Sequence, residues 1–477
     1  MRELGVFGWV KPAQIPPTSP NCVSPTSYTR EQRHNYGDPI EMKPIYLDPF
    51  IETLGREALE QIQLKRFQMM LGPILATNMF YRRKLGDAGI KHADEIRTYS
   101  DLQKIPFTTK AELTRDQLDH PPYGTNLTFT RDKYIRMHQT SGTTGEPMRC
   151  LDTQESWDWW ARCWSTVYHA AGVTSLDRIF FAFSFGPFIG FWSAHEGARM
   201  IGALAIPGGG MTSYQRVKAI LVNNISVLVC TPTYALHLAE VAEQEGIDIA
   251  HSSVHITVHA GEPGASIPST KGRIEAAWGA RCYDHAGATE VGGWGFECQA
   301  QSGLHVNEGE FIFEIIDPAT GEPSNEGELI ITNLGRTGMP VIRYRTGDRV
   351  TLAEGSCDCG RSFRRLEGGI IGRVDDVLII RGVNVFPSAI ENIVRQFNEV
   401  GEFAADVYRE SELDVMDVRI EVRGSDPDAV AAAVAKEIHN GLGLRVRVKP
   451  VPFGTLPRFD LKARRFTDHR RVNHRVG

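Results

Sequence analysis

Thr140-Ser141-Gly142-Thr143-Thr144-Gly145-Glu146-Pro147 gathers four hydroxyl residues and two glycines into eight positions, directly after an apparent strand over 133–137. A loop of this composition turns backbone N–H groups and hydroxyls toward one small concave space, which is what the phosphates of a nucleotide require. Glu146-Pro147 stand where a nucleotide-triphosphatase P-loop would end in Gly-Lys-Ser/Thr. The loop is therefore expected to grip phosphate without belonging to that class. Taken alone, its composition equally describes a solvated loop.

A second group of residues points to a metal. Cys298 and His305 are separated by six residues, Cys357 and Cys359 by one, and the two pairs flank a stretch of short β-like runs. Three thiolates and one imidazole are the ligand set of a closed tetrahedral zinc site, which leaves no position for water, so such a metal is structural. The plain alternative is a set of reduced surface cysteines and a loop histidine. The other cysteines, Cys22, Cys150, Cys163, Cys230 and Cys282, lie singly among apolar or mixed neighbours and read as core thiols. A third group is aromatic: Phe183, Phe185, Phe188 and Phe191 run through a Gly/Pro-broken segment, with Gly208-Gly209-Gly210 following. Flat apolar walls with room beside them suit an aryl ring, and equally describe core packing.

These groups need a scaffold. Apolar spacing is helical from Ile51 to about Leu85, and Ser100-Asp101 and Thr108-Thr109 read as helix starts. Beyond the phosphate loop the signals alternate, with helices at 157–171, 190–201, 213–223 and 234–245 and strands at 178–185, 204–207, 227–230 and 256–259. That alternation predicts βα units around a parallel sheet with helices on both faces. Ligands bind outside the carboxyl ends of such strands, where the 207–210, 231–232 and 260–263 loops fall. After residue 300, β-like runs at 311–316, 328–333 and 341–344 predict an antiparallel subdomain. Gly372-Arg373-Val374-Asp375-Asp376 is a polar break, followed by strands at 405–408, 415–422 and 444–451 and a helix at 427–440 bracketed by Ser425 and Gly441. The fold class is thus α/β, with a large N-terminal domain, a small β subdomain and a small α+β C-terminal domain.

Bulk properties exclude several functions. The chain has 477 residues, 42% of them hydrophobic, enough for a large core and two to four domains. Net charge is −6 with basic and acidic residues interspersed, so neither nucleic acid nor a membrane surface is an expected partner. The most apolar stretch, 179–192, is too short to span a bilayer. The polar, Pro-rich start lacks an apolar signal core, and with eight cysteines in a long chain the expectation is a cytoplasmic protein with reduced thiols.

Several stretches together resemble one family. The 140–147 loop, Ala260-Gly261-Glu262-Pro263, Asp284-His285-Ala286-Gly287-Ala288-Thr289-Glu290, Tyr344-Arg345-Thr346-Gly347-Asp348, the 372–376 break and Leu456-Pro457-Arg458 with Lys462-Ala463-Arg464-Arg465 stand in the order of the adenylate-forming acyl-CoA synthetases. Ile380-Arg381-Gly382-Val383-Asn384-Val385-Phe386-Pro387 and Gly303-Leu304-His305 resemble the phenylacetate-CoA ligase branch. The resemblance runs from about residue 90 to the end. It implies an aryl-acid ligase using ATP, Mg²⁺ and CoA, making acyl-adenylate and pyrophosphate, then a thioester and AMP.

Within that resemblance Thr140, Ser141, Gly142, Thr143, Thr144 and Gly145 hold phosphates and Glu290 a Mg²⁺ ion. Gly261, Glu262 and Pro263 line the adenine by backbone contact, and Asp284, His285, Ala286, Gly287 and Thr289 belong to the nucleotide-binding set. Asp348 takes the ribose hydroxyls, with Arg373 beside it. Lys462 acts on the carboxylate and α-phosphate, and Asp375 is the pivot of the C-terminal domain. The implied division is 1–372, a hinge at 373–376, and 377–477, and a homodimer is allowed. Phenylacetate, benzoate, hydroxybenzoate and anthranilate all remain open as the acid. Two departures stand out: Ala286 replaces a common Tyr, and Glu146 a common Lys. The alternatives are loading of a carrier protein, adenylation of a deazaflavin, and a catalytically silent nucleotide-binding regulator.

Overall fold

Residues 45–140, 147–187, 189–190, 192–374, 377–381, 383–410, 413–424, 426–459 and 463–470 are described by a computed structural model. The short strands Arg178–Phe181, Val227–Cys230 and Ile256–His259 are buried on both faces almost throughout, as strands covered on two sides must be, although Thr257 and His259 make one face of the last polar. Phe180, Leu228 and Cys230 enter one core with Tyr234, Leu238 and Trp278, while Ile179, Phe181, Val227 and Val229 enter another with Trp160 and Trp164. This period-two division is the direct consequence of strand geometry. Five parallel strands, completed by Leu204–Pro207 and Arg281–Ala288, continue antiparallel through Gly292–Glu297, Leu304–Val306 and Arg365–Leu366 into one eight-stranded sheet. The expected doubly wound scaffold is present.

Boundaries moved for local reasons. The strand expected to reach Phe185 stops at Phe181, because the Phe183 N–H turns back onto the Phe181 carbonyl at 3.0 Å ahead of Gly186-Pro187. The β subdomain is a four-stranded antiparallel sheet, Phe311–Ile316, Glu326–Asn333, Tyr344–Thr351 and Gly372–Arg373. Its third strand begins where 341–344 was expected to end. Arg343 has a left-handed φ of +45°, and its guanidinium reaches Glu314 and the carbonyls of Gln103 and Ile105, so the preceding residues are an anchored bend. In the helical prologue the caps are Thr98 and Thr109, each in a reciprocal box with Asp101 or Glu112; Ser100 lies inside its helix.

The C-terminal module has its own core, with Ile390, Phe403, Met416, Ile420, Val434 and Ile438 packed between helices Pro387–Val394 and Pro427–Leu442 and a four-stranded sheet. Asp426 caps the second helix through the N–H groups of Asp428 and Ala429, and Gly443, at φ +65°, ends it two residues beyond Gly441. Ser425 falls outside the described residues. Among the described residues no helix is long and apolar enough to cross a membrane.

Candidate nucleotide and acid site

The strands Tyr134–Gln139 and Arg149–Thr153 pair antiparallel on either side of the sequence expected to bind phosphate. Thr140 closes the neck: its N–H donates to Met148 O at 3.0 Å and its hydroxyl accepts the Met148 N–H at 3.1 Å. Ser141, Gly142, Thr143, Thr144 and Gly145 lie outside the described residues, as do Phe188, Asp375 and Lys462.

Glu290 sits in the turn between Arg281–Ala288 and Gly292–Glu297 and is buried. Tyr344 Oη donates to its Oε1 at 2.8 Å, and Lys110 Nζ stands 3.6 Å from the same oxygen. Burial, reinforced by Glu290's charge, holds the Tyr344 phenol well above its usual range, so it remains a donor. Preceding Glu290, the Thr289 carbonyl accepts from Arg336 Nη1 at 2.7 Å. Arg336 also binds both oxygens of Asp152 on the phosphate hairpin, at 2.7 and 2.8 Å, with both side chains sealed from solvent. One guanidinium therefore ties the phosphate hairpin to the Glu290 turn.

Asp348 and Arg373 face each other across neighbouring strands, Oδ1 to Nη1 at 3.2 Å. Gly347, at φ +76°, takes a left-handed conformation that favours glycine, and it lets Arg373 Nη2 lie 2.6 Å from where a Cβ would stand. In the 260–263 loop, Glu262 accepts the Thr233 N–H at 3.0 Å and the Ala463 N–H at 2.6 Å. The C-terminal module is thereby seated beside the loop expected to line the adenine. Arg465 reinforces the seat through Thr233 Oγ1 at 3.2 Å.

Along strand Arg281–Ala288 the burial is severe. Burial, with Glu297's charge adding to it, pushes the Asp284 carboxyl up to about 7. Lys271 Nζ lies 2.7 Å from each Glu297 oxygen, and Glu297 accepts the Asp284 N–H at 3.0 Å. Burial lowers His285 to about 4, so it is neutral; its Nδ1 donates to Gly295 O at 2.7 Å and its ring lies 4.2 Å from that of Trp164. Ala286 is buried, and a Cβ on Gly287 would meet Gly292 O at 2.9 Å.

At the end of strand Arg178–Phe181 the rings of Phe183 and Phe185 are 4.9 Å apart, and Trp192 meets Phe185 edge-on at 4.7 Å. His195 lies 6.2 Å from Phe185, and a Cβ on Gly209 would sit 3.1 Å from Phe185. Sequence reading missed Trp192 and His195, as well as Lys110, Asp152, Arg336, Tyr344, Lys271 and Glu297. Only the helical spacing of Trp192 and His195 carried a signal, placing both on the face that follows the Phe-rich turn.

The three cysteines and the histidine converge. Ligand atoms of Cys298, His305, Cys357 and Cys359 all lie within 4.8 Å of one another, and all four residues are buried. His305 Nδ1 donates to Phe363 O at 2.9 Å, which leaves Nε2 facing Cys359 Sγ at 3.5 Å. That orientation is the one a metal-bound imidazole takes. The surface-cysteine alternative is excluded by the burial.

Known proteins agree with this geometry. A family profile described as "AMP-binding enzyme C-terminal domain" matches residues 382–470. The phenylacetate-coenzyme A ligase of Pseudomonas putida is 34% identical over 438 residues, covering 89% of this chain and 97% of its own. A 2-hydroxyisobutyryl-CoA ligase crystal structure in the postadenylation state with 2-HIB-AMP superposes with TM-score 0.85 at 29% identity, covering 92% of this chain and 95% of that one. The same ligase with 2-HIB-AMP and CoA in the thioesterification state superposes with TM-score 0.68 at 30% identity over the same shares. None of these favours the carrier-loading, deazaflavin or silent-regulator alternatives. The chain belongs to the phenylacetate-CoA ligase family of adenylate-forming, AMP-producing acyl-CoA synthetases.

Proposed function

We propose that this protein is an ATP-dependent aryl-carboxylate-CoA ligase, forming acyl-adenylate and pyrophosphate and then acyl-CoA and AMP. The observation that carries the reading is the seating of Ala463, the residue after Lys462, on Glu262 of the 260–263 loop. It brings Ala463, next to the residue assigned the catalytic cation, to the loop that follows strand Ile256–His259. The better superposition on a postadenylation arrangement than on a thioesterification one supports the same reading.

In this mechanism the hydroxyls and amides of 140–145 hold the triphosphate, and Asp348, oriented by Arg373, accepts the two ribose hydroxyls. Asp284, its carboxyl held up to about 7, is about half protonated near neutral pH, and its protonated form can both donate and accept, which suits a purine edge bearing an amino group and a ring nitrogen. Glu290 would be a hard oxygen donor for Mg²⁺, its Oε1 held by Tyr344 and facing Lys110. Bound there, Mg²⁺ would supply positive charge to the phosphate oxygens. Lys462 offsets charge developing on the attacking carboxylate and α-phosphate. Phe183, Phe185, Trp192 and Gly209 wall the acid. The β subdomain ends with strand Gly372–Arg373, and Leu378 and Ile380 already pack in the module's core, which supports a hinge at 373–376 pivoting on Asp375. The thiols are those of a reducing, cytoplasmic setting.

The test is acid-dependent pyrophosphate release with and without CoA, using phenylacetate, benzoate, 4-hydroxybenzoate, anthranilate and 2-hydroxyisobutyrate. An aryl acid giving release, with AMP and thioester accumulating once CoA is added, is the expected result. Preference for the aliphatic acid, or turnover indifferent to CoA, would overturn the reading.

The cysteine-histidine cluster is assigned a structural zinc ion that braces the segment after Glu290 against the segment after Asp348. Purified protein is expected to carry one zinc per chain. Replacing Cys357 and Cys359 by Ser should remove it and lower the thermal midpoint by several degrees. Zinc-free protein with an unchanged midpoint would remove the assignment.

A further inference from the structure

The C-terminal module meets the large domain through a small set of polar contacts, and the most concentrated of them is on helix Pro232–Gln244. Glu240 accepts from Arg423 Nη2 at 2.8 Å and from Arg458 Nε and Nη2 at 3.1 and 3.2 Å, its side chain only 14% exposed. Both arginines belong to the module, so one carboxylate of the large domain holds two of its guanidinium groups. Arg423 adds Glu243 at 2.9 Å. Beside these pairs a cleft of about 810 Å³ runs between the two parts, lined by His237, Arg273, Asn398 and Phe459 among others. Among the described residues the two parts also meet at Glu262 and Ala463, Thr233 and Arg465, Ser269 and Asn392, Arg273 and the carbonyls of Phe397 and Val400, and Ser388 and the Ile371 carbonyl.

What each partner would keep on separation is informative. Arg458 retains Glu421, a fully buried carboxylate of the module's own sheet, at 2.8 Å, and Glu421 also accepts the Leu456 N–H at 2.6 Å. Arg465 likewise retains Glu402 at 2.7 Å and Glu391 at 3.4 Å. Separating an ordinary buried ion pair strands an uncompensated charge. Here Arg458 and Arg465 carry their own carboxylates with them, while Glu240 and the half-exposed Arg423 exchange each other for water. Burial opposes the Glu240 charge, yet His237 nearby and the guanidinium groups of Arg458 and Arg423 hold its carboxyl at about 2. The contact is therefore charged at any working pH and can be broken without leaving a buried ion behind.

We infer that Glu240 is a positioning residue, a charge latch that holds the C-terminal module in the acid-activating arrangement and must let go before the thioester forms. This rests on the reading that the module rearranges between the two half-reactions.

The test uses the full chain carrying Glu240→Gln, with three readouts. Acid-dependent pyrophosphate exchange should fall roughly five- to tenfold, while thioester formation from supplied aryl-adenylate and CoA stays level or rises. In a Ser269→Cys, Asn392→Cys background, whose parent side chains meet across the two parts at 2.9 Å, disulfide formation should slow in the Glu240→Gln protein. High salt applied to the unmodified latch should reproduce both effects by screening. Equal losses in the two half-reactions, or unchanged cross-linking, would overturn the latch. Should the parent protein activate no acid at all, the functional reading fails separately, and the cross-linking rate still decides whether Glu240 holds the module.

Discussion

Glu290→Gln is expected to lower acid-dependent pyrophosphate release by roughly 10²–10³-fold while leaving the fold intact. The replacement keeps the volume of the side chain and an oxygen that can still accept from Tyr344, which lies 2.8 Å from Glu290 Oε1. What it removes is the negative charge, in a buried pocket where the Lys110 ammonium stands 3.6 Å away. A neutral amide oxygen is a poor partner for a divalent cation, and it leaves Lys110 the stronger local charge. Losing one preorganised electrostatic element at a reacting phosphate typically costs two to three orders of magnitude, or about 2.7–4 kcal/mol. Steady-state rates across a Mg²⁺ titration provide the check. The variant should need several-fold more Mg²⁺ for half-maximal rate, with a melting curve close to that of the parent. A full rate at ordinary Mg²⁺ would show that Glu290 is only a turn residue.

The large features of this fold were legible because they repeat. Strands Val227–Cys230 and Ile256–His259 coincide with their expected limits, since a short β-branched or apolar run between a helix stop and a Thr-Pro or Gly turn has one simple solution. The cysteine-histidine cluster was legible because thiols and imidazole at short spacing are rare chemistry, and the fold brought 298, 305, 357 and 359 together. What stayed hidden is long-range. Asp152 follows Cys150-Leu151 and Arg336 follows Leu334-Gly335, and neither neighbourhood announces that the two side chains, 184 positions apart, form a bidentate pair. Tyr344 was read as part of a ribose-binding motif, whereas its hydroxyl serves Glu290. Glu262 illustrates a further limit. It was expected to line adenine by its backbone, while its carboxylate bridges Thr233 and Ala463, a contact that exists only because another domain docks there.

That hidden pair carries the second large effect. Arg336→Met should destabilise the large domain by about 3–5 kcal/mol, because it leaves the Asp152 carboxyl sealed from solvent without its guanidinium, to be held as an unpaired charge or to take up a proton at a cost. Burial already pushes the Asp152 carboxyl up against the pull of Arg336, so nothing else nearby compensates its charge to the same degree. Adding Asp152→Asn to Arg336→Met should recover part of the loss, since a neutral amide is far less costly to bury than an unpaired carboxylate. Denaturant midpoints of the two singles and the double close the cycle, and additive losses would mean the pair contributes no coupling. Activity distinguishes this from mere instability. Arg336 Nη1 also holds the Thr289 carbonyl at 2.7 Å, so the Glu290 turn loses its tether to the phosphate hairpin even where the double variant folds. The rescued protein should therefore remain slow in pyrophosphate release, because stability returns with the removed charge while the tether, which needs the guanidinium itself, does not.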